Sequence, residues 1–140
     1  MSGSFVIYRG RDFEANDVLL QIWLYLVLTE ARPDADLSEW TRELVNDWSD
    51  VSTSAAVGTV FPRLDHFAEK EEHRRTLITY CERALDRLKQ QTTLSKETLK
   101  QYGIGGKRIE FVYDIGAEKV LKVAEPFMHL LKEEPLGEAN

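Results

Sequence analysis

The chain has 140 residues and a single cysteine, Cys81. An intramolecular disulfide is therefore excluded, and a cysteine-based zinc site lacks its ligands. Long apolar runs are also missing. The most hydrophobic stretch, Val18 to Leu28, spans eleven residues with only Gln21 polar, whereas a bilayer span needs about 20. The opening segment, MSGSFVIYRGRDFE, holds just four consecutive apolar residues, Phe5 to Tyr8, with no basic run ahead of them. It does not read as a secretory signal, so a cytoplasmic protein without a membrane partner is expected. Basic charge is in short supply as well, with 18 Lys and Arg against 24 Asp and Glu and a formal charge of −6. A nucleic-acid binder needs a cationic face to displace counterions, and an anionic membrane surface demands the same. Neither partner is expected, which leaves a basic partner or an uncharged one.

The motifs of common chemistries are equally scarce. No HExxH or ExxH sequence occurs, and no serine sits in a GxSxG elbow, so neither metallohydrolase nor acyl-transfer chemistry has a foothold. Gly103-Ile104-Gly105-Gly106-Lys107 resembles a phosphate loop only superficially. Its glycines follow a predicted helix instead of preceding one, and Arg108 stands where a Walker loop carries Ser or Thr. A helix stop explains these glycines better, and no cofactor is expected.

What is present is the composition of a globular domain, 43% hydrophobic and 30% charged. At this length one domain over 1–140 is expected, burying roughly 68–70% of the unfolded surface, with 1–4 and 133–140 frayed. Residues 1–15 read as an arm with a short strand, Phe5–Tyr8, stopped by Gly10. Asn16 or Asp17 caps a helix over about 17–31 that is hydrophobic all round, as expected of a central helix in contact with neighbours on most sides. Arg32-Pro33 ends it.

A second helix starts at Asp36 or Ser38 and runs to about Val51. Leu37, Trp40, Leu44, Trp48 and Val51 form its apolar stripe, at spacings of +3, +4, +4 and +3. A long third helix over 69–90 carries Leu77, Ile78, Cys81, Ala84, Leu85 and Leu88, its first two turns projecting past the core. A short helix from Ser95 to Tyr102 follows, with Leu94 and Leu99 as a hydrophobic staple and Gly103 at C′. Residues 108–115 alternate as a strand or an extended segment packed across helices, with Phe5–Tyr8 as a candidate partner. A last helix over 117–132 contains Pro126, which predicts a kink near Lys122–Pro126.

Two clusters could be chemistry and are more simply read otherwise. Asp65, Glu69 and His73 fall at i, i+4 and i+8 on one helix face, but three donors without a second cluster make a poor metal set. A solvated charged face is the plainer reading, and no metal is expected. His66 and His129 have no sequence-adjacent dyad partner and read as surface or core-edge residues. Cys81 sits on an apolar stripe, where a thiol behaves as a small hydrophobe.

The most suggestive feature is an acidic stripe on the second helix. Glu39, Glu43, Asp47 and Asp50 recur at +4, +4 and +3, centred roughly 105° from the apolar stripe at 100° per residue, with Trp40 flanking both. Four acids in three turns repel one another, and Arg42 and Arg32 are the only bases nearby in sequence. One reading is a solubilising face. The other is a docking surface for a basic partner with Trp40 as aromatic anchor.

Three segments, LSEWTRELVNDWSDVSTSAAVG (37–58), LITYCERALDRLKQ (77–90) and YGIGG (102–106), resemble small helical bacterial proteins that act as immunity partners of secreted toxins. That resemblance implies stoichiometric neutralisation of a toxin without catalysis, often by an acidic surface covering a basic active site. The combined expectation is an all-α or mainly α single-domain bundle around a buried central helix, with at most a minor strand pair. It would bind a cognate toxin through Glu39, Trp40, Glu43, Asp47 and Asp50, as a monomer or homodimer. The alternative is a small structural or regulatory helical module that self-associates.

Overall fold

A computed structural model of the chain describes residues 3–54, 60–106 and 109–134. Among them the protein is mainly helical, with six α-helices and two small two-stranded sheets. It begins with a hairpin where an arm carrying one short strand, Phe5–Tyr8, was expected. Arg9 and Gly10 both have positive φ, 52° and 82°, the geometry that a tight two-residue hairpin turn requires. They join β1 (Gly3–Tyr8) to β2 (Arg11–Asn16), with Tyr8 opposite Arg11 and Gly3 opposite Asn16. Gly10 is thus half of a turn and not the end of a strand. The partner strand escapes sequence reading because RDFEAN carries three charges and offers only Phe13 and Ala15 as apolar alternates.

The pairing of Phe5–Tyr8 with 108–115 is therefore overturned, since β1 pairs with β2. Most of that later segment is irregular. Residues 109–114 form no strand, and Arg108 lies outside the described residues. Only Ile115–Gly116 (β4) pairs, with Thr93–Leu94 (β3).

Between the two sheets the helices follow local caps. In α1 (Asp17–Ala31) the Asn16 side chain accepts from Leu19 N at 3.1 Å, which satisfies a first-turn donor. Leu20, Ile22, Trp23, Leu24, Val27, Leu28 and Ala31 have no exposed surface, and α1 packs on α2 (Glu39–Thr53), α4 (Glu71–Lys89) and α6 (Ala117–Leu131). Ser38 caps α2 by accepting from Thr41 N at 3.0 Å. Leu37 then lies outside the helix and is exposed, not part of its apolar stripe.

The expected long helix over 69–90 is present as α4, and the single turn ahead of it, α3 (Leu64–Phe67), is not continuous with it. Nor does the start of α4 project freely. His73 stacks on Trp40, and Arg74 Nε donates to Leu131 O at 2.7 Å. The α5 helix (Lys96–Tyr102) ends as its sequence predicts, with Gly103 at φ 76° and its N–H bonded to Lys100 O. Leu94 and Leu99 are both buried. The α6 helix continues through Pro126.

At the centre of the core, aromatic edges meet faces. Trp23 and Trp48 each meet Phe127, with ring centroids 5.9 and 6.1 Å apart, and Trp48 meets Phe67 at 6.4 Å. Such T-shaped pairs match positive ring edges to negative faces. Cys81 is fully buried in this cluster, and burial pushes its thiol well above the ordinary range, so it is an inert apolar filler.

Of the end segments 1–4 and 133–140, residues 3, 4, 133 and 134 are described. Ser4 is buried, donates to the Asp17 carboxylate and accepts from Val60 N. At the other end, Glu133 pairs with Arg9 and Arg74, and Glu134 O accepts from Arg11. Residues 135–140 lie outside the described residues.

Candidate functional site

The acidic face of α2 is built by two constraints. Leu44 and Trp48 must point into the core, where both are fully buried, and the 3.6-residue period then turns Glu39, Glu43, Asp47 and Asp50 toward the flank. Those four carboxylates line one open depression of about 650 Å³ with Trp40, Arg42, Asn46 and His73. Sequence reasoning thus names five of its residues, Trp40 among them, and the structure brings all five together.

What it misses is everything contributed from elsewhere in the chain. His73 lies parallel to the Trp40 indole, 4.6 Å between centroids and 11° between planes, so the aromatic end of the depression is a stacked pair. The Trp40 N–H is turned away from solvent and donates to Phe67 O at 2.9 Å. That bond fixes the ring, leaving its exposed surface apolar.

The carboxylates are not equivalent. His66 Nε2 lies 2.7 Å from Glu43 Oε2, and Arg63 Nη1 lies 3.3 Å from Asp47 Oδ1. His66 is a surface residue, as expected, and its neighbour comes from a distant part of the sequence. His129 also has a carboxylate neighbour, since its Nδ1 lies 3.0 Å from Glu134 Oε1. Neither pairing was visible in sequence because the partners of His66 and Arg63 stand 23 and 16 positions away. Asp47 Oδ2 is buried and has no hydrogen-bond partner among the described residues. Glu39 and Asp50 are exposed, and no base among the described residues lies within ion-pair distance of either.

The segment bearing these bases is fastened to α2 at both ends. Trp48 Nε1 donates to Pro62 O and Trp40 Nε1 to Phe67 O, each at 2.9 Å. Arg63, between them, sits in the left-handed region at φ 56°, where a side chain other than glycine is uncommon. Its guanidinium also lies over the Phe67 ring, 5.6 Å from the centroid.

The Asp65, Glu69 and His73 set is not assembled. Asp65 accepts from Arg9 N at 2.8 Å while His73 is stacked on Trp40, and no cluster suited to a metal ion occurs among the described residues. The described residues likewise contain no helix long and apolar enough to cross a membrane. Comparison with protein-family models, curated proteins and solved structures finds no match for this chain.

Proposed function

We propose that this protein is a non-catalytic, immunity-type inhibitor of the bacterial cytoplasm. It binds a basic toxin through the outer face of α2 and blocks that toxin by covering its active or substrate-binding surface. The reading treats α1 as the buried central helix of a bundle that holds α2 rigidly against its partner. One observation carries it: four carboxylates and a stacked Trp40–His73 pair line a single open depression. Carboxylates around an aromatic anchor are the composition that recognises arginine and lysine, by charge-assisted hydrogen bonds and by cation–π contact. The chain's excess of acid, −6 in formal charge, adds long-range attraction for such a partner.

Complementary charge acts chiefly on association rate and specificity. Reversing Glu39, Glu43, Asp47 and Asp50 to lysine together is expected to slow association with the co-purifying partner by about 10-fold or more at about 0.1 M salt, where screening is incomplete. Surface plasmon resonance over a salt series measures this. An unchanged on-rate with an unchanged salt slope removes the face from the interface.

A second reading, a self-associating helical module, is favoured by a different feature. Phe5 and Ile7 are 52% and 49% exposed on the outer face of the hairpin, and β1 has no strand on its other side among the described residues. An uncharged, half-exposed edge strand is a template for pairing. Sedimentation equilibrium separates the two readings. A monomer up to about 100 µM, well above the working range of specific dimers, disposes of self-association.

A further inference from the structure

The acidic face of α2 is already engaged by basic side chains of its own chain. We propose that the Pro62–Phe67 segment is an internal competitor for that face, its Arg63 and His66 occupying carboxylates that an incoming basic partner must take over. The proposal rests on the reading of α2 as a docking face for a basic partner and adds how access to that face is restrained.

Three features of the segment fit such a role. First, its placement does not depend on the ion pairs. The two indole N–H bonds, from Trp48 to Pro62 O and from Trp40 to Phe67 O, and the buried side chains of Leu64 and Phe67 anchor the backbone. The charged side chains can therefore swing away while the backbone remains in place. Second, both bases are about half exposed, Arg63 at 48% and His66 at 46%. Their contacts with Asp47 and Glu43 are open to solvent and weak enough to exchange. Third, Arg63 adopts its left-handed backbone, φ 56°, at the point that brings its guanidinium to Asp47.

The consequence is selectivity by threshold. A single stray cation meets Glu43 and Asp47 already engaged, while Glu39 and Asp50 remain open to it at the two ends of the same face. A partner carrying several spaced cations gains the open carboxylates first and then displaces Arg63 and His66.

Octa-arginine labelled with fluorescein serves as probe, with anisotropy read at about 0.1 M salt so that surface charge is only partly screened. Arg63→Gly removes the guanidinium and suits the left-handed backbone, so the fold is retained. His66→Gln removes the other base. Each is expected to tighten probe binding about threefold, and the double variant about tenfold, the scale of a solvent-exposed ion pair released. Lys89→Gln, which removes one positive charge as Arg63→Gly does, but on an exposed residue at the end of α4, provides the comparison. If the double strap variant binds no more tightly than Lys89→Gln, the proposal falls. In the same series Glu39→Lys with Asp50→Lys alters only carboxylates the strap leaves open. Weakening there alongside an unaffected strap variant sinks the competitor while sparing the docking face. No response from either pair sinks both.

Discussion

Replacing Trp48 by alanine is expected to lower the free energy of unfolding by about 3–5 kcal/mol, the range for removing a large aromatic from a packed core. Trp48 is fully buried and stands between Phe67 and Phe127, meeting each edge to face. Its truncation leaves a void bounded by α3 and α6, which a folded interior does not readily collapse to fill. Urea titration followed by circular dichroism measures the loss. Trp48→Phe divides the effect into its parts. The ring and most of the packing survive, but Pro62 O loses its indole donor, and an unpaired buried carbonyl costs about 1–3 kcal/mol. If phenylalanine is as damaging as alanine, the hydrogen bond and not the ring volume is what matters at this position.

Gln21→Leu is the second large effect. Gln21 is the polar interruption in the most apolar stretch of the sequence, and 1% of its surface is exposed. Its Nε2 donates to Val51 O at 3.0 Å and to Ser54 O at 2.9 Å. The last carbonyls of a helix have no partner within the helix, and α2 has no base in its last turn to meet them. A side chain of α1 therefore caps α2 from outside. Leucine matches the volume and deletes both N–H donors; Val51 O keeps the Ser54 hydroxyl at 3.4 Å while Ser54 O loses the Gln21 amide, and at about 1–3 kcal/mol for a carbonyl left dry a loss of about 1–3 kcal/mol is expected. The damage is local as well as global: amide exchange should quicken in the final turn of α2 more than in α1. Equal acceleration throughout would show that Gln21 contributes general packing and not a cap.

These two residues also mark what was legible in the sequence. The helical class, the cap at Ser95 and the stop at Gly103 rest on interactions among residues a few positions apart and read directly, while the other two caps read only as pairs, Asn16 or Asp17 and Asp36 or Ser38, from which the structure selects Asn16 and Ser38. The acidic stripe reads for the same reason, because a period of 3.6 fixes which side chains share a face. The hairpin does not, since β2 is charged and lacks alternation. The extent of α4 reads as well, its apolar period resuming at Leu77, but the contacts of its first turns with Trp40 and Leu131 do not. The candidate site was half legible. Its acids and Trp40 belong to one helix, whereas His73, Arg63 and His66 arrive by tertiary folding, over separations that no local pattern encodes. Gln21 illustrates the same limit, being visible as an anomaly while its partners are 30 and 33 positions away.

The clamp between the hairpin and the end of α6 bears on how the chain is made. Arg9 reaches Glu133 across 124 positions, and Arg11 reaches Glu134 across 123. A ribosome delivers the hairpin before α6, so the hairpin leaves the exit tunnel well ahead of the residues that lock it, 124 and 123 positions on. Closing so long a loop adds little to equilibrium cost, because that cost grows only with the logarithm of length, but it sets the order of events. Until α6 emerges to pack on the hairpin, the hairpin's inner face, with Val6 and Tyr8 that the finished fold buries, stays open to every neighbouring nascent chain. Expression yield, more than stability of the finished fold, should therefore register substitutions at Arg9 and Arg11.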